Sequence, residues 1–203
     1  PLETPFETST LTPISMRIFN DPDPLAGRTG SYTLPPSQTR QPAQVFSGDQ
    51  IASLLSEVGV THVITVPDST IGRWEKAIEQ SGRIRLVRVC REGEAWQVAA
   101  GLHFGGATPL VMIQCTGLFE SGDAIRNALH DWKIPVFSII GYRSYLDQAK
   151  LPGDTCLVFT EPILDAWKID YRLITSPSEL HVIRDHFLSC RIAGKPGAAL
   201  IGE

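Results

Sequence analysis

Two glutamates at the junction of an apolar run and a helix-forming stretch offer the clearest chemistry in this sequence. Glu92 and Glu94 follow the apolar run at 84–89 and open a stretch rich in Ala and Gly. A carboxylate in the first turn of a helix most often complements the helix dipole, and we assign that structural role to Glu94. For Glu92 two roles stay open: the same dipole complement, or a functional carboxylate on a helix whose small residues allow close packing against another chain or a flat ligand.

Common catalytic motifs are missing from the sequence. It contains no GxxxxGK[ST] or GxGxxG phosphate loop, no GxSxG elbow and no HExxH pair. The five histidines stand singly, and solvated or core positions are the expected role of each. The cysteines are widely spaced, which predicts reduced, mostly core thiols instead of a zinc site or a disulfide framework: Cys90, Cys115, Cys156 and Cys190.

Composition narrows the class of partner. The chain has 203 residues, a net charge of −4 and 42% hydrophobic residues, which suits one well-cored domain. It has no Lys/Arg run, so nucleic acid and anionic membranes are not expected as partners. It also has no long apolar stretch and no secretory signal pattern, so we predict a cytoplasmic location.

Residues 1–44 differ from the rest of the chain. They hold eight of the 15 prolines and many Ser and Thr residues, with few periodic apolar positions. Such a segment buries too little surface to order by itself. It is expected to be either a disordered tail or an arm that orders on a neighbouring subunit, and residues 45–203 are expected to form the folded domain.

From Ser47 onward, short apolar runs alternate with amphipathic stretches. The predicted strands are 62–66, 84–89, 110–114, 136–140, 171–174 and 198–201. The predicted helices are one between the Ser47 capping box and Gly59, then 70–80, 92–104, 123–132, 161–168 and 179–191. This alternation predicts an α/β fold with a parallel six-stranded sheet and helices on both faces. The nearly continuous apolar strands agree, since both of their faces would be buried.

Ligands of such sheets bind at the carboxyl ends of the strands. The segments predicted to lie there are 67–69, 91–92, 114–120 and 141–143. They contain Glu92, so its carboxyl group is expected at this edge of the sheet.

The motifs in these segments, taken together, resemble a known domain. Val66–Ser69 reads VPDS, Arg91–Leu102 reads REGEAWQVAAGL, Thr108–Leu118 reads TPLVMIQCTGL and Lys133–Pro135 reads KIP. From about Gln50 onward the chain resembles the pyrimidine-binding domain of thiamine diphosphate enzymes. Within that superfamily it is most similar to the alpha subunit of sulfopyruvate decarboxylase and to the matching part of phosphonopyruvate decarboxylase.

The resemblance implies roles for particular residues. Glu92 would be the catalytic glutamate, which hydrogen-bonds a ring nitrogen of the cofactor's aminopyrimidine and so activates the thiazolium ring. The end of the third strand and the residues after it would line the cofactor: Gln114, Cys115, Thr116 and Gly117. Residues expected to face the substrate, a small 2-keto acid, are Ser69, Asp68, Phe119 and Glu120. Cys115 could also be a reactive thiol, although a buried thiol is the favoured interpretation.

The sequence departs from the decarboxylases in two places. Phe119 and Glu120 stand where those enzymes tend to carry Gly-Asn, so an added negative charge would need a partner such as Arg126 or Arg143. Gly153-Asp154 is followed by Thr155, so the GDG metal motif of the diphosphate-binding half is absent. Thiamine diphosphate and magnesium are therefore expected to be held mainly by a separate diphosphate-binding subunit, with self-association into a larger hetero-oligomer and with no metal ligand from this chain.

These expectations predict a subunit of a heteromeric, thiamine diphosphate-dependent 2-keto acid decarboxylase. A carboligase with the same cofactor is a second possibility. A third is a non-catalytic assembly or regulatory partner, in which Phe119 and Glu120 would plug the cleft. An unrelated α/β binding module also stays open, because fold alone does not determine function.

Overall fold

The computed structural model describes residues 45–69 and 71–203; the predicted arm at 1–44 lies outside these ranges. Six strands are present: β1 His62–Thr65, β2 Arg85–Arg88, β3 Pro109–Gln114, β4 Phe137–Tyr142, β5 Asp170–Ile174 and β6 Gly197–Gly202. The α-helices are α1 Gly48–Glu57, α2 Glu75–Gln80, α3 Glu92–Phe104, α4 Cys115–Glu120, α5 Gly122–Ile125, α6 Cys156–Ala166 and α7 Leu180–Ala193. Short 3₁₀ turns cover Ile71–Trp74 and Pro177–Glu179, and Arg126–Asp131 is π-helical.

The strands form one sheet in the order β2-β1-β3-β4-β6-β5, and every neighbouring pair is parallel. Successive residues of β3 point to opposite faces. Leu110 and Met112 pack with apolar residues of α1, α2 and α7, whereas Val111 and Ile113 pack with residues of α3 to α6. The prediction of a parallel six-stranded sheet with helices on both faces is confirmed.

The order of the strands brings together the segments that the sequence predicts to bind a ligand. Strands β2 and β3 lie on either side of β1, so the chain reverses its direction of winding at β1. A crevice forms at the carboxyl ends of the strands where the winding reverses. The residues after β1, the start of α3 after β2 and the start of α4 after β3 all lie at this edge.

Several helix boundaries differ from the predicted ones. The segment after β3, for which no helix was predicted, is the helix α4, and the predicted helix 123–132 consists of α5 and the π-helical segment. Helix α6 starts at Cys156, five residues earlier than predicted, because the Asp154 carboxylate accepts a hydrogen bond from the Cys156 N–H. In the described ranges, none of the helices combines the length and apolar character needed to cross a bilayer.

Candidate functional site

The start of α3 holds Glu92 against a glycine of α4. A Cβ on Gly117 would lie 2.7 Å from Oε1 and 2.8 Å from Cδ of Glu92, which is closer than non-bonded atoms approach. Only glycine therefore accommodates the Glu92 side chain in this position. Glu92 is partly buried, and its carboxylate makes no hydrogen bond or ion pair with any residue in the ranges that the structure describes. The fold thus fixes the position of the Glu92 carboxyl group but provides no hydrogen-bond partner for it among the described residues.

Glu94, two residues along the same helix, has a structural contact. Its Oε2 accepts a hydrogen bond from the backbone N–H of Cys90 at 3.1 Å. The bond satisfies a donor at the helix start, and the charge complements the helix dipole. The structural interpretation of Glu94 is supported, and the contrast with Glu92 lies within one helical turn.

Glu120 also closes the start of α3. Its Oε2 accepts the Gly93 N–H at 2.8 Å, and its Oε1 accepts Nε and Nη2 of Arg91 at 2.9 and 2.5 Å. The Gly93 N–H and the Arg91 guanidinium hold the pKa of the Glu120 carboxyl below its usual value. The tertiary fold joins α4 to α3 through this carboxylate, so a substrate-facing role for Glu120 stays a prediction.

The expected charge partners of Glu120 were wrong. Arg126 instead donates to Asp123 of the adjoining α5 and to Asp131 of its own π-helical segment, and Arg143 donates to Asp154. Short sequence separation and a shared helical segment give Arg126 nearer carboxylates than Glu120. Arg91 lies next to Glu120 because α3 and α4 pack side by side, which linear spacing does not reveal.

The first turn of α4 contains the residues predicted to line a cofactor. Gln114 precedes the helix, and its Oε1 accepts a hydrogen bond from the exposed Thr116 hydroxyl at 3.3 Å. Cys115 is fully buried, as the favoured interpretation expected. Burial and the neighbouring Cys115 thiol raise the pKa of Cys156 to about 12. Phe119 is partly buried against the apolar cluster beneath α4, and its predicted contact with substrate stays a prediction.

The residues after β1 and β6 complete the edge. Asp68 Oδ1 accepts the Ile71 N–H at 2.9 Å and starts the 3₁₀ turn, while Ser69 is exposed. Glu203, after β6, was not singled out from the sequence. Its Cδ lies 3.0 Å from where a Cβ of Gly141 would stand, so a further carboxyl group lies at this edge. The pairing of β4 with β6 brings it there, and no motif in the sequence signals it.

A second network follows β4 and was also missed. Nε and Nη2 of Arg143 donate to the two carboxylate oxygens of Asp154 at 2.9 and 3.1 Å. The Ser144 hydroxyl and the Cys156 N–H donate to the same carboxylate at 2.7 and 3.0 Å. The Arg143 guanidinium, above all, holds the pKa of Asp154 far below its usual value. The Gly-Asp-Thr sequence before α6 was a capping signal that could have revealed it.

In the described part of the chain, one group of side chains of the types that bind metal ions lies at the opposite, amino-terminal ends of the strands. Asp170, His186 and Cys190 place a ligand atom each within 4.8 Å of one another. Their polar atoms already have protein partners: His186 Nε2 contacts the Asp170 carbonyl at 3.0 Å, and the Asp170 carboxylate pairs with Arg172 at 2.6 Å. These residues were not predicted as ligands, and the contacts account for their grouping.

Comparison with known proteins identifies the domain. Residues 47–164, more than half of the chain, match the family described as thiamine pyrophosphate enzyme, N-terminal TPP binding domain. Sulfopyruvate decarboxylase subunit alpha of Methanothermobacter thermautotrophicus is 26% identical over 139 residues, covering 67% of this chain and 82% of that protein. The protein of the same name from Methanocaldococcus jannaschii is 25% identical over 134 residues, covering 64% and 78%. Phosphonopyruvate decarboxylase of Streptomyces viridochromogenes is 29% identical over 149 residues, covering 72% of this chain and 36% of that protein.

Proposed function

Because this chain belongs to the thiamine pyrophosphate enzyme family, we propose that it is the pyrimidine-binding subunit of a heteromeric, thiamine diphosphate-dependent 2-keto acid decarboxylase. One observation carries the proposal. The Glu92 carboxylate lies against Gly117 at the carboxyl ends of the strands and makes no hydrogen bond to the described residues. A carboxyl group that a fold positions without satisfying is available to a ligand.

The residues at this edge suit the aminopyrimidine end of thiamine diphosphate. A planar ring needs a surface free of projecting side chains and a hydrogen-bonding group at its rim. Gly117 has no side chain, and the Glu92 carboxyl group lies beside it. Glu92 would hydrogen-bond a ring nitrogen, and the first turn of α4 would line the ring through Gln114, Thr116 and the backbone at Gly117, with the Cys115 side chain buried beneath them.

When bound, the cofactor supplies an electron sink for the electron pair left as carbon dioxide departs from a 2-keto acid. The chain's own part in the reaction is to orient the pyrimidine ring and to hold or share a proton at the Glu92 carboxyl group. Ser69 is exposed and Asp68 partly buried at the end of β1, so both are proposed to face the substrate. The helix α4 covers one side of this edge and would limit the access of water.

A separate diphosphate-binding subunit is part of the proposal. The relatives from Methanothermobacter thermautotrophicus and Methanocaldococcus jannaschii are named as an alpha subunit, and the match covers about four fifths of each. We propose that the partner holds the diphosphate and magnesium, and that the complex associates further.

Decarboxylation is favoured over the two alternatives. The relatives are named decarboxylases, which favours that reaction over carboligation. A plugged, non-catalytic cleft would need Glu120 to project into it. The Glu120 carboxylate is instead bound to Arg91 and to the Gly93 N–H at the start of α3.

The test compares two glutamates of one helical turn. The chain is first isolated from its native cells with its companion subunit, and decarboxylation of 2-keto acids is assayed with thiamine diphosphate and magnesium. Glu92→Gln should assemble normally and lose at least 100-fold in kcat, because general acid–base groups contribute about 10²–10⁴-fold. Glu94→Gln keeps an amide oxygen for the Cys90 N–H and should stay within about threefold of wild type.

Two results would overturn the proposal. Near-normal turnover by Glu92→Gln would remove the catalytic role of this residue. Purification of the chain without any companion that carries a diphosphate and metal site would remove the heteromeric enzyme.

A further inference from the structure

Arg143 is the most firmly held positive charge at the carboxyl edge of the sheet. It follows β4 and donates Nε and Nη2 to the two oxygens of Asp154. The Asp154 side chain is 2% exposed and also accepts hydrogen bonds from the Ser144 hydroxyl and the Cys156 N–H. Four donors thus fix the carboxylate, and the carboxylate fixes the plane of the guanidinium.

The guanidinium keeps unused donors. Arginine has five N–H groups in a planar fork, and Asp154 takes two of them. Nη1 makes no hydrogen bond to any residue in ranges 45–69 and 71–203, and the Arg143 side chain is 41% exposed. A preoriented guanidinium with free N–H groups is suited to a carboxylate, sulfonate or phosphonate.

The position of Arg143 relates it to Glu92. Gln114 at the end of β3 pairs in register with Gly141 of β4, and Arg143 follows two residues later. The next residue after Gln114 is Cys115, the first residue of α4. Further along the same helical turn, Gly117 contacts Glu92. Glu92 and Arg143 therefore flank the first turn of α4 at one edge of the sheet.

We propose that Arg143 determines substrate specificity by binding a second anionic group of the substrate. The names of the relatives already indicate 2-keto acids with a sulfonate or phosphonate group, so the new element is the residue that recognises this group. This inference rests on the proposed function, since it concerns the substrate of the same site.

The charge change in decarboxylation explains why the second anion, and not the departing carboxylate, is the ligand. The departing carboxylate loses its charge in the transition state, so a cation bound to it stabilises the ground state more and slows the reaction. A second anionic group keeps its charge throughout. Its contact with Arg143 therefore holds the substrate in place without opposing the chemistry.

Arg91 is the rival cation at this edge. Its side chain is 76% exposed, and its partner Glu120 is itself 31% exposed. A solvent-exposed ion pair holds its side chains weakly. Arg91 is thus less well fixed for a directed contact than Arg143, whose partner is buried.

The experiment uses the complete complex with thiamine diphosphate and magnesium. It measures kcat/KM for 3-sulfopyruvate and for pyruvate, which lacks the second anion. Wild type should prefer 3-sulfopyruvate. Arg143→Gln should lower kcat/KM for 3-sulfopyruvate about 10- to 100-fold, mainly through KM, because hydrogen bonds to charged groups are worth this factor. Its value for pyruvate should change less than threefold.

Two further variants address folding and position. Arg143→Gln/Asp154→Asn removes both charges together, so no buried carboxylate is left unpaired, and it should show the same loss of preference. Arg172→Gln is the matched control. Arg172 is a similarly exposed arginine that pairs with Asp170, and it lies on β5, the outermost strand of the sheet. This variant should leave both kcat/KM values unchanged.

The outcomes separate the two proposals. A complex that decarboxylates neither substrate, nor any other 2-keto acid, overturns the proposed function and this inference with it. Equal wild-type efficiency on pyruvate and 3-sulfopyruvate overturns the inference alone. So does an Arg143→Gln complex that loses both activities equally, or loss of the preference in Arg91→Gln instead of Arg143→Gln.

Discussion

Glu92 at the start of α3 and Asp154 before α6 lie at the same edge of the sheet, but the fold treats the two carboxylates in opposite ways. Asp154 is 2% exposed and accepts four hydrogen bonds, two of them from Arg143. Glu92 is partly exposed and accepts none from the described residues. A carboxylate whose lone pairs are all used stabilises the fold, and one left without donors is available to a ligand. The difference in hydrogen bonding therefore distinguishes a structural role for Asp154 from the functional role proposed for Glu92.

The largest effect on activity is expected from a substitution that displaces the Glu92 carboxylate. Gly117→Ala adds a Cβ that would lie 2.7 Å from Glu92 Oε1, so the carboxyl group must move. We expect decarboxylase activity of the complex to fall about 10- to 100-fold, because small misplacements of catalytic groups cost that much. Steady-state kinetics and circular dichroism of the same preparation measure the effect.

A second glycine gives the control for that substitution. A Cβ on Gly101, in the middle of α3, meets no atom within 4 Å in the described chain. Gly101→Ala should therefore raise the free energy of unfolding of the isolated chain by about 0.5–1 kcal/mol, as alanine favours helix. Full activity of a folded Gly117→Ala enzyme would refute the placement of Glu92.

Removing the charge of Asp154 tests whether this carboxylate stabilises the fold. Asp154→Asn weakens the bonds to Arg143, and we expect the free energy of unfolding to fall by about 2 kcal/mol. Asp147→Asn, whose carboxylate forms an exposed pair with Lys150, should change it by less than about 0.5 kcal/mol. Urea unfolding distinguishes the two, and equal effects would contradict the structural role of Asp154.

The same variant predicts a pH dependence. The Arg143 guanidinium, together with the Cys156 N–H and the Ser144 hydroxyl, holds the pKa of Asp154 far below its usual value in the folded state. The unfolded state then binds the proton more readily, so the stabilisation is complete above about pH 5 and is lost as the pH falls. The difference between wild type and Asp154→Asn should shrink below about pH 5. A constant difference down to pH 3 would contradict the assignment.

The smallest effect on stability is expected at Glu94, because its carboxylate accepts a single backbone hydrogen bond. Glu94→Ala should lower the free energy of unfolding by about 0.5–1 kcal/mol, the usual value of a contact at a helix start. Thermal unfolding measures it, and kcat should not change. A large loss of activity would place Glu94, and not Glu92 alone, in the catalytic machinery.

Local patterns were sufficient to predict most of the fold. The Ser47 capping box forms as expected, with Ser47 Oγ accepting the Gln50 N–H and Gln50 Oε1 accepting the Ser47 N–H. Helix α3 has the predicted bounds, Glu92–Phe104. These features depend on residues within one or two turns of each other, so composition and spacing are enough to predict them.

The helix α4 was missed for a physical reason. Cys115–Glu120 contains Cys, Thr, Gly and Phe, which have little intrinsic preference for a helix. Its helical form depends on burial of Cys115 and Leu118 against the sheet and on the bonds from Glu120 to α3. Such contacts join residues almost 30 positions apart, and no short window of sequence contains them.

The sequence by itself determined the alternation of strands and helices, the parallel sheet and the position of Glu92 at the start of a helix, because these follow from hydrophobic periodicity and local signals. Only the tertiary structure decided which charges meet. Glu120 pairs with Arg91, Arg143 with Asp154, and Glu92 lies against Gly117 without a partner in the described chain. Side-chain pairing depends on how elements pack in three dimensions, and the free carboxyl group that carries the proposed function is visible only after those pairings are known.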